Sequence, residues 1–264
     1  MSINENHESA KYVRISSRIR RGVEVKTSST ALSLTSDTSS NVAIMAEEHD
    51  SDWSGGLPHS FDNAEIVSLA SGVFAEITPL LTDDRQLVEN TTLSSAILAA
   101  YKKADTWAVA SKISASLLAV LLQGKNVYVG SVGICKCFLI SSGTIRQVNV
   151  DDYLRLEVDG KPFVATASLL SNTIGAGEIE SLADIHFEHF TIDSHGLLLL
   201  CSGAFYQNVS ENEMLGAALL SSSPRSLCAS LAEVAIQRLS PSDPLALCAL
   251  SVRSADNRNV APEV

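Results

Sequence analysis

The sequence predicts an α+β fold in which sheets of short strands pack against each other and helices lie outside them. Short apolar runs separated by turn residues indicate many strands. In two places these runs give way to apolar residues spaced three or four apart, which is typical of amphipathic helices. The chain has 264 residues and is 45% hydrophobic, so it can bury a large core within one domain.

The first part of the chain predicts three strands followed by a pair of helices. The strands are predicted at residues 12–19, 30–34 and 41–46, and the third is apolar enough to be buried. A polar loop is predicted at 47–60, and the capping-box pattern at 62–65 starts the first helix. The second helix is predicted to begin near Asp83. Its apolar side carries Leu93, Ile97, Ala100, Tyr101 and Ala104.

The remainder predicts a meander of strands and a second pair of helices. Strands are predicted at 114–122, 127–132, 136–140, 145–148, 185–192, 197–201 and 245–252. Helices are predicted at 210–220 and 224–239, and leucine or alanine recurs every four residues in the latter. Runs of strands interrupted by paired helices are the pattern of an α+β domain.

Charge and composition limit the classes of partner and the location. Nineteen Lys and Arg against thirty Asp and Glu give a net charge of −11, which argues against binding to nucleic acid or an anionic membrane. The start of the chain lacks the features of a signal peptide, and no apolar run has membrane-spanning length. We therefore expect a soluble, cytoplasmic protein. Residues 11–253 are predicted as one domain between polar tails at 1–10 and 254–264.

The five cysteines all lie in apolar runs. An odd number of cysteines without a leader favours free thiols in a reducing compartment. Cys135 and Cys137 are two apart on a predicted strand, so both sulfurs face the same side. A metal site would need a second pair, which the sequence does not offer, and core packing is the favoured interpretation.

Five segments resemble, in order, the PP2C-type metal-dependent Ser/Thr protein phosphatases. The stretch 124–136 resembles the turn and strand that lead into Gly-Asp-Ser-Arg, and 143–152 resembles the segment that ends in Asp-His. Further resemblances lie at 170–177, at 197–202 before the family's Ser-Asp-Gly, and at 242–248. The resemblance implies a PP2C-like α-β-β-α sandwich, with two stacked antiparallel sheets flanked by helix pairs.

The resemblance also indicates a broken site. In the family, two Mg²⁺ or Mn²⁺ ions hold the water that attacks a phosphoserine or phosphothreonine, and such ions need several oxygen ligands. Three positions where the family has an aspartate are occupied by residues without a carboxylate: Val25, Ile134 and Gly203. Asp243 matches a family acid, and Glu47 stands where the Asp-Gly pair begins. Arg20 resembles the family's phosphate-holding arginine, and Arg18 would fit that position in a shifted register.

The leading hypothesis is therefore a pseudophosphatase without catalytic residues, which acts as a binding or regulatory module in phosphorylation signalling. Its partner would be another protein, such as a kinase or a phosphoprotein, and no cofactor is expected. The alternative is an active, divergent phosphatase that uses Mg²⁺ or Mn²⁺ on Glu47, Asp243 and nearby acids. An unrelated α+β interaction domain is a third hypothesis.

Three local patterns have competing interpretations. Glu47, Glu48, His49, Asp50 and Asp52 form either a solvated acidic loop, which is favoured, or a rebuilt metal site. Trp53 either contacts a partner or folds back onto the first helix. His186 and His189 are three apart on a predicted strand, so they face opposite sides and do not share a ligand.

Overall fold

A computed structural model describes most of the chain. The described residues are 13–20, 30–36, 40–49, 72–73, 90–123, 125–152, 155–158, 161–164, 171–192, 195–239 and 245–252. Several sequence predictions lie outside them, namely both tails, all of the first helix except residues 72–73, the start of the second helix, and Val25, Asp50, Asp52, Trp53 and Asp243. The predicted limits of the domain stay a prediction for the same reason.

The strands form two stacked antiparallel sheets. They are β1 (Val13–Arg20), β2 (Thr30–Ser36), β3 (Ser40–His49), β4 (Ser114–Gln123), β5 (Asn126–Val132), β6 (Lys136–Ser141), β7 (Thr144–Gln147), β8 (Arg155–Val158), β9 (Lys161–Val164), β10 (His186–Thr191), β11 (Gly196–Cys201) and β12 (Leu245–Val252). Within the described residues, sheet A has the order β1-β12-β11-β6-β7 and sheet B the order β10-β5-β4-β3-β2. The strands β8 and β9 pair with each other.

Helices cover the outer face of each sheet. They are α1 (Asn90–Ser111), α2 (Gly203–Asn208), α3 (Glu211–Leu220) and α4 (Pro224–Ile236). The apolar side of α1 packs on sheet B through buried residues that include Leu93, Ile97 and Tyr101. On the other side, α2, α3 and α4 pack on sheet A around Phe205 and Leu227. The resulting order of layers is helix, sheet, sheet, helix, which confirms the predicted α+β sandwich.

Strand β4 shows why its sequence is apolar throughout. Leu118, Val120 and Leu122 point into the core between the sheets. Leu117, Ala119 and Leu121 point the other way, into the layer beneath α1. Because successive side chains on a strand alternate between faces, a strand covered on both sides is apolar at every position.

The cysteines also pack as predicted. All five are buried free thiols. Cys135 and Cys137 both lie in the core between the sheets, so their shared face is the inner face of sheet A. Lys136, which is between them, points to the outer face and contacts Tyr206 of α2. No described helix is long and apolar enough to cross a membrane.

Some element boundaries differ from those predicted. The acidic loop predicted from residue 47 begins later, because Glu47, Glu48 and His49 continue β3 in register with β4. Helix α4 ends at Ile236 rather than residue 239, because the amides of residues 238 and 239 both donate to the Ala235 carbonyl and tighten the last turn. Helix α2 and the β8–β9 hairpin were not predicted, since each is short and carries little periodic signal.

Candidate functional site

Three of the proposed ligand positions meet at one end of the sandwich. Glu47 is near the end of β3 in sheet B, and Gly203 directly follows β11 in sheet A. Ile134 lies in the turn by which the chain passes from β5 in sheet B to β6 in sheet A. The Gly203 N–H donates to Glu47 Oε2 at 2.7 Å, although the two residues are 156 positions apart in the sequence.

Glu47 is a buried carboxyl group held by sheet A. Its side chain is only 3% exposed, so it is not part of a solvated loop, and that favoured interpretation was wrong for this residue. Besides the Gly203 amide, Oε2 accepts from the Cys135 thiol, whose sulfur is 3.6 Å away. Burial raises the pKa of Glu47 from 4.5 to about 7, although these hydrogen bonds oppose the rise. Near neutral pH, Glu47 therefore holds a proton far more readily than an exposed glutamate does.

Ile134 fills the space beside Gly203. The isoleucine is 4% exposed and packs directly against the glycine backbone. A Cβ atom added to Gly203 would lie 2.4 Å from Ile134 Cδ1, a distance that real Cβ atoms do not tolerate. An aspartate therefore cannot be placed at 203 while Ile134 keeps its position. A hydrocarbon side chain and bare backbone occupy two positions where the resemblance implies carboxylates.

A set of hydrogen bonds fixes the turn that carries Ile134. Gly133 has φ +93°, and a Cβ there would lie 2.1 Å from Ser116 Oγ, so the turn requires glycine. The Ile134 amide donates to Ser116 Oγ at 2.8 Å. The Gly133 amide donates to Asp152 Oδ2 at 2.7 Å, and Asp152 Oδ1 is 2.7 Å from Nε2 of His186.

The sequence did not predict the hydrogen bonds that hold the turn at Gly133 and Ile134. Asp152 belongs to a segment that resembles the family, but nothing in its neighbourhood shows that it reaches back to Gly133, 19 residues earlier. His186 and His189 do sit on one strand with separate contacts, as predicted. His186 contacts Asp152, whereas His189 stacks on Tyr128 with ring centroids 4.5 Å apart.

Lys136 is a buried cation next to this turn. It occupies the position of the arginine in the family's Gly-Asp-Ser-Arg pattern, and it is 1% exposed. Its Nζ lies 2.5 Å from Asp151 Oδ2, 3.2 Å from Gln147 Oε1 and 3.4 Å from the centre of the Tyr206 ring. The charge is thus matched by a carboxylate and an aromatic face, and the contact fastens α2 to sheet A.

The remaining site predictions lie at the same end of sheet A or outside the described residues. Arg20 ends β1 opposite Leu245, where β12 begins, and the structure describes the backbone of Arg20 alone. The neighbouring amide of Ser202 donates to the Ala246 carbonyl at 3.1 Å, which places this backbone beside Gly203. Val25 and Asp243 are outside the described residues, so their roles stay predictions.

The described residues do not fit a pair of divalent metal ions. Such ions need several converging oxygen ligands, and Ile134 and Gly203 have no side-chain oxygen. Glu47 already uses Oε2 to accept two hydrogen bonds, and its raised pKa weakens it further as a ligand. Across the part of the chain that the structure describes, no group of three His, Cys, Asp or Glu side chains is arranged to hold an ion.

No protein-family profile and no curated protein sequence matches the chain. Its fold, however, matches solved structures over 90% or more of its length. The serine/threonine phosphatase of S. agalactiae is 12% identical with a TM-score of 0.71, and 92% of this chain covers 100% of that one. The Mycobacterium tuberculosis serine/threonine phosphatase PstP is 16% identical with a TM-score of 0.68, and the shares covered are 92% and 99%.

Two further structures bear on regulation and metal. PppA of Pseudomonas aeruginosa, described as a key regulatory component of the T6SS, is 13% identical with a TM-score of 0.67, over 90% of this chain and 97% of that one. The catalytic domain of PstP has also been solved in complex with two manganese ions. At these identities the likeness shows the fold alone. The chain has the PP2C-like fold that the sequence resemblance implies.

Proposed function

We propose that this chain, whose fold is PP2C-like, is a pseudophosphatase that binds another protein in phosphorylation signalling rather than hydrolysing phosphate esters. The observation that carries the proposal is the contact between Ile134 Cδ1 and the backbone of Gly203. The amide of the same glycine donates a hydrogen bond to Glu47. Two positions that the resemblance assigns to acids are thereby joined by apolar packing.

The chemistry of phosphate ester hydrolysis supports this reading of the site. In the metal-dependent mechanism, cations orient the attacking water and neutralise charge that develops on the phosphoryl oxygens. Neither Ile134 nor Gly203 provides a side-chain oxygen ligand, and the pKa of Glu47 is raised to about 7 by burial. Because a phosphorylated substrate is itself anionic, a buried carboxyl group without a cation offers it no stabilisation.

A binding role is consistent with the rest of the molecule. Within the described residues both sheets and the helices are well packed, so the apolar residues at Ile134 and Gly203 are accommodated without disturbing the scaffold. The backbone of Arg20 lies at the same end of sheet A as Gly203, and we propose that its side chain pairs with a phosphate on a docked partner. PppA provides a precedent for a regulatory role on this fold. The partner we propose is a kinase or a phosphoprotein.

Phosphatase assays test the proposal directly. The purified chain should not hydrolyse p-nitrophenyl phosphate or a phosphothreonine peptide in the presence of Mn²⁺ or Mg²⁺. Asp243→Ala is the matched control, because it removes the one residue that matches a family acid. Turnover by the wild-type chain that disappears in Asp243→Ala would contradict the proposal and establish the divergent phosphatase instead.

Metal titration gives a second, independent test. Calorimetry with Mn²⁺ should show no tight site in the wild-type chain, because the described ligands do not converge. A single tight Mn²⁺ site that is removed by Glu47→Gln or by Asp243→Ala would favour the enzyme.

A further inference from the structure

A concave region lies at the far end of sheet A from Glu47 and Gly203. It is a cavity of about 210 Å³, bordered by the β6–β7 turn, the start of β11 and the turn between α3 and α4. Ile140, Leu197 and Leu227 form its apolar base. Serines and one histidine, His195, also line it, and none of the described lining residues is Asp, Glu, Lys or Arg.

Exposed leucines stand at the mouth of this cavity. Leu219 lines it and is 67% exposed, and the next residue, Leu220, is 90% exposed at the end of α3. Among the described residues, large hydrophobic side chains are otherwise exposed only at Val109 and Val150. A cavity whose described lining combines apolar side chains with serine hydroxyls fits a short apolar stretch of extended chain, whose backbone the serines can bond.

The last described strand, β12, ends beside this cavity. Ser251 lines the cavity, and β12 ends one residue later at Val252. The ring Nδ1 of His195 donates to the Val252 carbonyl at 3.0 Å, which fixes that end of the strand against the cavity wall. Twelve further residues, 253–264, therefore start from a point beside the cavity.

The sequence of those residues suits a tether followed by an apolar ligand. Residues 253–259 read Arg-Ser-Ala-Asp-Asn-Arg-Asn, which is rich in turn-forming residues. Residues 260–264 read Val-Ala-Pro-Glu-Val. The proline restricts the residue before it to extended conformations, so this stretch loses little entropy when it docks in extended form.

We propose that residues 260–264 dock in the cavity of their own chain, with Val260 and Val264 against Leu219 and the apolar base. The eight steps from Val252 to Val260 span at most about 28 Å, which is ample for a cavity lined by Ser251. A tether this short gives an effective concentration on the order of millimolar, so a weak apolar contact is enough to hold the segment. This surface is separate from the Glu47 site and does not depend on the proposed function.

Hydrogen exchange on the full-length chain tests the proposal. The variant Val260→Asp with Val264→Asp should raise the exchange of amides in residues 218–223 by about tenfold, since it removes the burial of two apolar side chains. The matched control, Ala255→Asp with Asn257→Asp, adds the same charge to the tether and should change nothing. A synthetic peptide of residues 254–264, added at millimolar concentration, should restore protection in the double-valine variant.

The other possible occupants give different results. Equal exchange in the wild type and the double-valine variant overturns the proposal. A second copy of the chain would occupy the cavity if protection rises with protein concentration. In that case Leu220→Asp would remove the protection, the double-valine variant would not, and the proposal would be overturned. If protection is lost only in the double variant Ile3→Asp with Tyr12→Asp, the N-terminal segment occupies the cavity, and the proposal is overturned as well.

Discussion

At the residue scale, the proposed site consists of one glycine, Gly203, and the three side chains around it. Glu47 accepts the Gly203 amide and the Cys135 thiol, while Ile134 packs on the same glycine. A carboxyl group in this position links sheet B to sheet A from inside the fold. A family member of the type that the sequence resembles would link these elements through cations instead.

The raised pKa of Glu47 predicts a specific dependence of stability on pH. Its pKa is about 7 in the folded chain against an ordinary value of 4.5, so the folded state holds the proton more tightly than the unfolded state. The contribution of Glu47 to stability is fully present below pH 4.5, is lost as the pH rises from 4.5 to 7, and stays absent above that range. The loss amounts to about 3 kcal/mol at most.

Urea unfolding between pH 5 and pH 8 checks this dependence. Glu47→Gln cannot ionise, so it should be close to the wild type at pH 5 and more stable than the wild type at pH 8. Glu188→Gln, at an exposed position on β10, is the control and should follow the wild-type profile. If Glu47→Gln loses stability between these pH values as steeply as the wild type, Glu47 does not titrate as described.

The contact between Ile134 and Gly203 predicts that the two positions are energetically coupled. Gly203→Ala should cost about 1–3 kcal/mol of unfolding free energy, because its new Cβ overlaps Ile134 Cδ1. In an Ile134→Ala background the same change should cost much less. A double-mutant cycle by urea unfolding measures the coupling.

Gly216→Ala in α3 is the matched control for that cycle. A Cβ there meets no atom within 4 Å, so the change should be neutral or stabilising by up to about 1 kcal/mol. Equal effects of Gly203→Ala in both backgrounds would show that Ile134 does not fill the space beside the glycine.

At the element scale, the loop before β10 is held by helix α1. Asp105 of α1 is buried, and its Oδ1 accepts the Gly175 amide at 2.6 Å and the Gly177 amide at 3.2 Å. Gly175 has φ +102°, and a Cβ on it would lie 1.9 Å from the Ile113 carbonyl oxygen, so the loop passes directly over the end of the helix. The segment that resembles the family at 170–177 is thereby fixed by a residue that the sequence did not single out.

Asp105→Ala should therefore loosen this loop without unfolding the sandwich. It leaves two backbone amides without an acceptor, at a cost of about 1–3 kcal/mol for each one that stays buried. Amide exchange at residues 174–179 should increase strongly, while exchange in β4 and β5 should change little. Glu178→Ala, in the same loop and exposed, is the control. Unchanged exchange at Gly175 and Gly177 would contradict this role for Asp105.

At the scale of the whole molecule, we propose partner binding at the end of sheet A where the described residues Ile134 and Gly203 provide no metal ligand. We expect a phosphothreonine peptide to bind more tightly than its unphosphorylated form, because Arg20 is predicted to pair with the phosphate. Arg20→Ala should weaken phosphopeptide binding about tenfold in fluorescence anisotropy. Arg14→Ala, at the other end of β1 opposite Ser251, is the control. Equal affinity for the two peptides would exclude a phosphoprotein partner at this site.

The sequence by itself determined the class of fold, most strand positions and the burial of the cysteines. These follow from local patterns, since alternation, helical spacing and turn residues act over a few positions. The order of five weakly matching segments was enough to predict the PP2C-like sandwich. The resemblance also led to the prediction that Ile134 and Gly203 are replacements of family acids, which stays a prediction.

Only the tertiary structure decided what those replacements do. The burial of Glu47, its bond to an amide 156 residues away and the contact of Ile134 with Gly203 arise where two sheets meet. The acidic run at 47–52 reads as a solvated loop in sequence, because nothing local shows that β3 extends to His49. Such contacts depend on strand register and on the distance between sheets, and a one-dimensional pattern contains neither.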